Sequence, residues 1–401
     1  MKPITENIIE QSAVEILQSQ GWDYANGKDI SPEGLFCELD SFGQIVLTKR
    51  LRASIAKINH HIPADAQEVA MQKLLRIHSP ELLHNNEEFH RMLVEKVKIP
   101  YQQNGYERSH EVALIDFDHL ANNEFLVVNQ YTIIENNQNK RPDILLFVNG
   151  LPLVVVELKN AADEKTGIKS AYQQVQTYKA IIPGLFTYNA ICILSDGLEC
   201  KAGSVSADLS RYMTWKTADG IKEASKYKPQ LETLLKGMLQ PATLLDLIRN
   251  FIVFEKSKKE DLKTGLIQIQ TVKKLAAYHQ YYAVNKAVQS SIVASGIHGD
   301  KRGGVVWHTQ GSGKSLSMVF YSGKLITSPE MRNPTIVVIT DRNDLDDQLF
   351  DTFAASVQLL RQEPVQAENR EHLKELLQVA SGGIVFTTIQ KFLPENNKSV
   401  Y

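Results

Sequence analysis

The sequence predicts an α/β fold in two parts, a mixed-sheet domain followed by a parallel-sheet domain built round a phosphate loop. Two stretches carry the first part. Residues 143–148 and 153–158 are near-continuous apolar runs joined by a turn, which reads as a pair of buried strands. A helically spaced segment at 168–182 and an apolar run at 190–195 follow them, and strand-strand-helix-strand is the core of a small mixed sheet. The second part rests on Gly311-Ser312-Gly313-Lys314-Ser315, set between an apolar run and a helical pattern, with strands and helices alternating after it.

Size and composition agree with this division. The chain of 401 residues and 45.1 kDa is long enough for two or three domains with separate cores. Hydrophobic content of 43% and charged content of 22% are those of an ordinary globular protein. A formal net charge of -2 leaves any nucleic-acid contact to local grooves rather than to the whole surface. Cys37, Cys192 and Cys200 form no CxxC pair and no metal-ligand spacing, so they read as free thiols of a reducing compartment. No apolar run approaches the roughly 18–20 residues that span a bilayer, and the first residues lack the apolar centre of a signal peptide. Together these place the chain in the cytoplasm, away from membranes.

Thr5 is placed to cap a first helix carrying Ile8, Ile9, Ala13, Ile16 and Leu17, which stops near Gly21. A helical region covers about 45–95. Strands are expected at 113–117 and 125–131 with Asn122-Asn123 turning between them, and then come the paired apolar strands. In the helix at 168–182, Ile168, Ala171, Val175, Tyr178 and Ile182 share a face. Residues 202–240 read as loop and exposed helix, 246–254 as a short apolar helix, and 255–261 as a solvated charged connector. Beyond Thr271 the pattern gives a helix, a strand at 304–308, the loop, a helix from Lys314, a strand at 335–340, a helix at 346–355 and a strand at 383–387.

Asp143 opens the first paired strand, and Glu157 and Lys159 stand two residues apart at the end of the second. Residues two apart on a strand share a face, so Glu157 and Lys159 point the same way while Leu158 points into the core. Charges at the ends of buried apolar strands are costly unless solvated or used. Phosphodiester hydrolysis needs a metal to generate hydroxide and to neutralise the phosphate, and magnesium accepts one or two carboxylates while keeping waters. Asp143 and Glu157 suit that metal, and Lys159 could position the attacking water and stabilise the transition state. Gln174 and Tyr178, one helical turn apart, could face the same site.

In the second part, glycines at 311 and 313 let the backbone curl so that its amides face phosphate oxygens, and Ser312 lies between them. Lys314 would reach the outer phosphates and Ser315 would ligate the magnesium of ATP. The helix that follows turns its positive end to the anion. His308 stands where the common pattern has glycine. Upstream, Tyr278-His279-Gln280 resembles the adenine-reading glutamine motif of superfamily 2 helicases and translocases, which implies that the Gln280 amide pairs with the donor and acceptor of adenine.

The segments 114–117, 125–130 and 141–143, with Glu157-Leu158-Lys159-Asn160, resemble the restriction subunit of type I restriction-modification enzymes. That resemblance implies a restriction-endonuclease-like PD-(D/E)xK domain of the RecB type, matched by Pro142-Asp143, Glu157-Leu158-Lys159 and the Gln174 to Tyr178 spacing. Ser195-Asp196-Gly197 fits the turn closing its sheet. An acid of the first helix often completes such sites, and sequence does not choose between Glu6 and Glu10, each of which alone reads as part of a solvated helix face. Tyr278-His279-Gln280, residues 339–348 and residues 386–390 are similar to motifs of superfamily 2 motors, which implies a RecA-like domain. The expected organisation is 1–245 for the endonuclease domain with its N-terminal helical part, 246–270 for a connector, and 271–401 for a first motor domain that stops before the magnesium-holding Asp-Glu strand. The resemblance further implies magnesium and ATP as cofactors, double-stranded DNA as substrate, and separate modification and specificity subunits as partners. Other nuclease-motor fusions, such as a repair or type III restriction enzyme, and a non-catalytic DNA- or nucleotide-binding scaffold are the competing readings.

Overall fold

A computed structural model of the chain describes residues 5–103, 105–160, 167–260 and 267–392. It divides into two compact units, 1–249 and 250–401. The first unit runs α1 (Glu6–Gln18), β1 (Asp23–Asn26), α2 (Thr48–Ile58), α3 (Ala64–Leu75), α4 (Leu82–Glu95), β2 (Val97–Gln103), β3 (Tyr106–Val112), β4 (Phe125–Asn129), β5 (Ile133–Glu135) and β6 (Gln138–Lys140). It continues with β7 (Ile144–Val148), β8 (Leu151–Leu158), α5 (Ile168–Ile181), α6 (Pro183–Thr187), β9 (Ile191–Ser195), β10 (Cys200–Gly203), α7 (Gln230–Met238) and α8 (Pro241–Asn250).

Its centre is a six-stranded mixed sheet in the order β1-β4-β7-β8-β9-β10. β1 runs parallel to β4 and β8 parallel to β9, while the β4–β7, β7–β8 and β9–β10 pairs are antiparallel. The β7–β8 hairpin turns on Asn149 and Gly150, both at positive φ (52° and 80°). That geometry suits the right-handed twist of the flanking strands, and Asn-Gly adopts it at low cost. At Gly150 a side chain would also meet the Leu47 carbonyl oxygen at 2.5 Å.

Pro152 lies inside this buried hairpin, where a missing N–H would leave a gap in the ladder. The pairing absorbs it with a bulge: Phe147 pairs with Pro152 but Leu146 pairs with Val154, leaving Leu153 without a partner in β7. The Leu153 carbonyl accepts the Ala190 N–H instead, at 2.7 Å. On one face, Leu145, Phe147, Val155, Cys192 and Leu194 pack with Ala171, Val175 and Tyr178 of α5. Leu146, Val154, Val156 and Ile193, of opposite parity, are also fully buried. The sheet is therefore covered on both faces, which explains why β7 and β8 read as unbroken apolar runs. α1 packs against β1, β4, β8 and α7.

The second unit runs β11 (Ile252–Glu260), β12 (Ile267–Leu275), α9 (Tyr278–Ser295), α10 (Lys314–Thr327), β13 (Ile336–Thr340), α11 (Asn343–Ala354), α12 (Val357–Leu360), β14 (Pro364–Gln366), α13 (Arg370–Leu376) and β15 (Ile384–Thr388). β13, β15 and β14 form a parallel sheet in that order. The mixed sheet of the first unit and the parallel sheet of the second give the α/β architecture the sequence predicts.

Several elements differ from expectation. Residues 113–117 are not a strand. Leu114 and Ile115 are buried, but Asn59 exchanges hydrogen bonds with Ala113 at 2.8 Å in both directions and Asn149 donates to the Leu114 carbonyl, so side-chain amides satisfy this backbone in place of a ladder. Helix α7 within 202–240 is not exposed, since Leu231, Leu234, Leu235 and Met238 are buried. The short apolar helix expected at 246–254 lies earlier, as α8, and the charged run read as a connector is the outer part of β11, paired along its length with β12. Residues 304–308 form no strand: Val305 and Trp307 are 95% and 83% exposed, with no pairing partner among the described residues.

Candidate active site

The sheet order explains how residues far apart in sequence meet. β4, β7 and β8 are neighbours, so the residue after β4, the residue before β7 and the end of β8 share one edge. Gln130 donates its N–H to the Asp143 carbonyl at 3.0 Å. Asp143 Oδ2 in turn accepts the Leu158 N–H at 2.7 Å. Lys159 N–H donates to the Ser195 carbonyl at 2.8 Å, which fixes the lysine one step beyond β8. Its Nζ then donates to Glu157 Oε1 at 2.6 Å, to the Leu158 carbonyl at 2.7 Å and to Glu6 Oε1 at 3.3 Å.

Glu157 is 1% exposed, and among the described residues its Oε2 has no hydrogen-bond partner. Burial, and then the neighbouring Asp143 charge, push its pKa up to about 8, although Lys159 opposes both. Burial likewise pushes Asp143 up to about 6; the Leu158 N–H and Lys159 hold it down, while Glu6 and Glu10 push it further up. Burial alone would lower the Lys159 pKa, but the charge and hydrogen bond of Glu157, with Asp143 and Glu6, raise it. The centre is thus short of positive charge: the buried Glu157 and the half-buried Asp143 lie beside one ammonium.

Those are the properties of a site that fits a divalent cation. Among the described residues no group of three or more His, Cys, Asp or Glu is placed to hold a metal. The residues that could hold one are the pair Asp143 and Glu157, and a hard cation that keeps its waters needs no more. Tyr178, buried on α5, donates its hydroxyl to the Arg141 carbonyl at 3.3 Å. Its pKa is raised by burial and by the Glu157 charge, and its hydroxyl is hydrogen-bonded with Gln174. The structure therefore brings Asp143, Glu157, Lys159, Gln174 and Tyr178 together.

It also separates the two acids of α1. Glu6 is half exposed and reaches Lys159. Glu10 is 4% exposed, and its carboxylate accepts from Asn129 Nδ2 at 2.6 Å and Gln130 Nε2 at 2.7 Å. A solvated helix face is therefore the wrong description of Glu10. Sequence reasoning gave no role to Asn129 and Gln130; their signal was a pair of amides ending an otherwise wholly apolar strand.

In the second unit, Gly311 and Gly313 both take positive φ (79° and 80°), and α10 starts at Lys314. A side chain at Gly313 would meet Gln280 Nε2 at 2.9 Å. Lys314 Nζ donates to the His308 and Thr309 carbonyls at 3.2 and 3.1 Å. Gln280 is buried; its Oε1 accepts the Ala277 N–H at 2.9 Å and its Nε2 donates to the Gly313 carbonyl at 3.0 Å. Both ends of the amide expected to read adenine are thus engaged by the protein, tying the start of α9 to the phosphate loop. The His279 ring nitrogen bonds the Ser312 carbonyl at 3.1 Å, and His308 lies edge-on to His279 with ring centroids 5.3 Å apart. Burial lowers the His308 pKa, as do the neighbouring His279 and Lys314.

Two acids and a lysine at the edge of a mixed sheet, followed in the chain by a glycine phosphate loop, define the class as a nuclease fold joined to a nucleotide-binding fold. Residues 3–211 match the family described as the type I restriction enzyme R protein N terminus, and residues 279–401 match the SWI2/SNF2 ATPase family. The chain is 45% identical over 401 residues, 99% of its length, to the HindI type I restriction enzyme endonuclease subunit of Haemophilus influenzae. It is 32% identical over 408 residues, 96% of its length, to a Methanocaldococcus jannaschii protein with the provisional name of MjaIXP type I restriction enzyme endonuclease subunit. It spans 37% of the length of each of these relatives. A type I restriction enzyme endonuclease subunit of Staphylococcus aureus is 27% identical over 285 residues, 70% of this chain and 27% of that protein. The chain belongs to the type I restriction enzyme R protein family. Among the described residues no helix is long and apolar enough to cross a membrane.

Proposed function

We propose that this chain cleaves double-stranded DNA through Asp143, Glu157 and Lys159, as part of a restriction subunit that couples cutting to ATP-driven translocation. The observation that carries the reading is the charge-deficient pair of half-buried Asp143 and buried Glu157, with Lys159 bonded between Glu157 and Glu6. Asp143 and Glu157 would hold magnesium, which when bound supplies activation of water and charge neutralisation at phosphate. Lys159 is held by acceptors on three sides, so its ammonium stays charged and aimed at the edge where a phosphate would approach. Tyr178 and Gln174 pack beside Glu157 and fix its orientation from α5.

In the second unit Gly311, Ser312, Gly313 and Lys314 would cradle the phosphates of ATP, with Ser315 on its magnesium. Lys314 must leave the His308 and Thr309 carbonyls to do so. Gln280 would read adenine only by releasing its own backbone partners, so its main contribution is to hold the loop. The partners are the modification and specificity subunits, which would choose the DNA sequence, and the complex would work in the cytoplasm.

The test uses the full-length subunit in complex with those partners. Asp143→Ala should abolish ATP-dependent cleavage and leave ATP hydrolysis intact. Continued cutting by that variant would overturn the assignment.

A further inference from the structure

Strand β4 buries Phe125 to Val128 and then ends in two amides, Asn129 and Gln130. Both amides are spent on a single carboxylate, that of Glu10 from α1. We propose that Glu10, Asn129 and Gln130 form a clamp that sets where Asp143 stands, with the Gln130 backbone as the part it holds. The proposal rests on the nuclease reading above and names positioning residues for that site.

The argument begins with Gln130, which adopts φ 56°, in the left-handed region that residues with a side chain rarely occupy. The chain on either side is fixed independently. Asn129 pairs with Asn26 of β1 and Ile144 of β7, and its Oδ1 accepts the Tyr24 hydroxyl at 3.0 Å. Tyr131 is fully buried, with its hydroxyl on the Gln44 carbonyl at 2.9 Å. Between these anchors, the side chain of Gln130 is tied to α1 and its N–H to the Asp143 carbonyl. A relaxation of Gln130 out of its left-handed conformation would turn that N–H away and release the residue before β7.

The chemistry of Glu10 fits this duty. An ionised carboxylate only accepts, so it can take both amide donors at once. Glutamine at the same place would offer one acceptor and turn an amide donor toward another donor. The negative charge has a cost to the site, because Glu10 helps to raise the Asp143 pKa. A carboxylate held there by two amides is accounted for by the geometry it imposes rather than by the charge it adds. Glu6, which reaches Lys159, is left as the acid of α1 that faces the centre.

The experiment needs no cleavage. Hydrogen exchange of the Gln130 amide and Mn2+ binding are measured on this chain and on Glu10→Ala, Glu10→Gln, Gln130→Gly and the double variant Glu10→Ala/Gln130→Gly. Glu10→Ala should speed exchange at Gln130 and weaken Mn2+ binding by about tenfold, the usual cost of losing a supporting partner. Glu10→Gln should do less of both. Glycine holds positive φ without a side-chain tie, so the double variant should recover protection and affinity to within about threefold of the parent. Unchanged exchange in Glu10→Ala would overturn the clamp. Restored exchange without restored affinity would instead make Glu10 a direct contributor to metal binding and also overturn it. If Glu10→Ala does not fold, Glu10→Gln with and without Gln130→Gly gives the same comparison. Mn2+ binding that ignores Asp143→Ala would sink the nuclease centre itself, while the exchange data would still decide the clamp.

Discussion

The two candidate sites handle charge in opposite ways. The carboxylate-lysine centre is built from side chains at the edge of a sheet covered on both faces, where burial moves each pKa and every charge feels the next. The phosphate loop is built mostly from backbone, lies open, and uses glycine conformation and a helix start in place of buried charge. A side-chain site of the first kind is fragile to any change that alters electrostatic balance. A backbone site of the second kind tolerates much but depends on one lysine for its strong charge.

The largest effects should come from the groups that carry charge. Lys314→Ala in the full subunit should abolish ATP hydrolysis and ATP-dependent cleavage together, whereas Asp143→Ala should abolish cleavage only. Assays of both activities on both variants would break the comparison if the two losses were not separable in this direction. In this chain alone Lys314→Ala should leave thermal stability nearly unchanged, because the side chain is exposed and bonds to the loop's own carbonyls.

A second effect is the pH dependence of the metal-free protein. Glu157 is raised to about 8 and Asp143 to about 6, so in the pH interval between their ordinary values and these the folded chain holds more protons than the unfolded one. Stability contributed by these groups therefore falls as pH rises, from 3.8 to about 6 for Asp143 and from 4.5 to about 8 for Glu157. With chelator present, the first unit should melt about 5 °C lower at pH 8 than the rest of the chain's titration would give, and Glu157→Gln should flatten that slope. Magnesium should also restore stability at pH 8. A slope unaffected by Glu157→Gln would show that the centre is not charge-deficient.

The smallest effect concerns local backbone. Gly150→Ala should cost about 2 kcal/mol in the first unit, from positive φ and a close carbonyl together. Melting followed by a probe in each unit should show the loss in the first unit alone.

How much of this was legible in the sequence follows from where backbone bonds go. β7, β8 and β9 were readable because burial on both faces leaves unbroken apolar runs, and α5 because its buried residues recur at helical intervals, while the candidate residues Asp143, Glu157 and Lys159 stand at or beside the strand ends. The stretch 113–117 was misread because an apolar run tells of burial but not of its hydrogen-bond partners, and here Asn59 and Asn149 take the place of a neighbouring strand. The run Glu255 to Glu260 was misread in the other sense: its backbone forms a ladder with β12 whatever charge the side chains carry. Within the candidate site, spacing singled out Asp143, Glu157 and Lys159, which the fold brings to one edge of the sheet. Glu10 was not resolved, because its burial depends on β4 lying beside α1, a relation between segments more than a hundred residues apart.

The bulge at Leu153 reaches further than the ladder it interrupts. Counting back from the Asn149-Gly150 turn in strict alternation would set Asp143 across from Val156. The extra residue advances the frame by one, so Ile144 meets Val156 and the next position sets Asp143 across from Glu157. The proline that forbids regular pairing is thus what puts two acids into one phase. A deletion at Leu153 would leave Asp143, Glu157 and Lys159 in the sequence and put the two acids out of step.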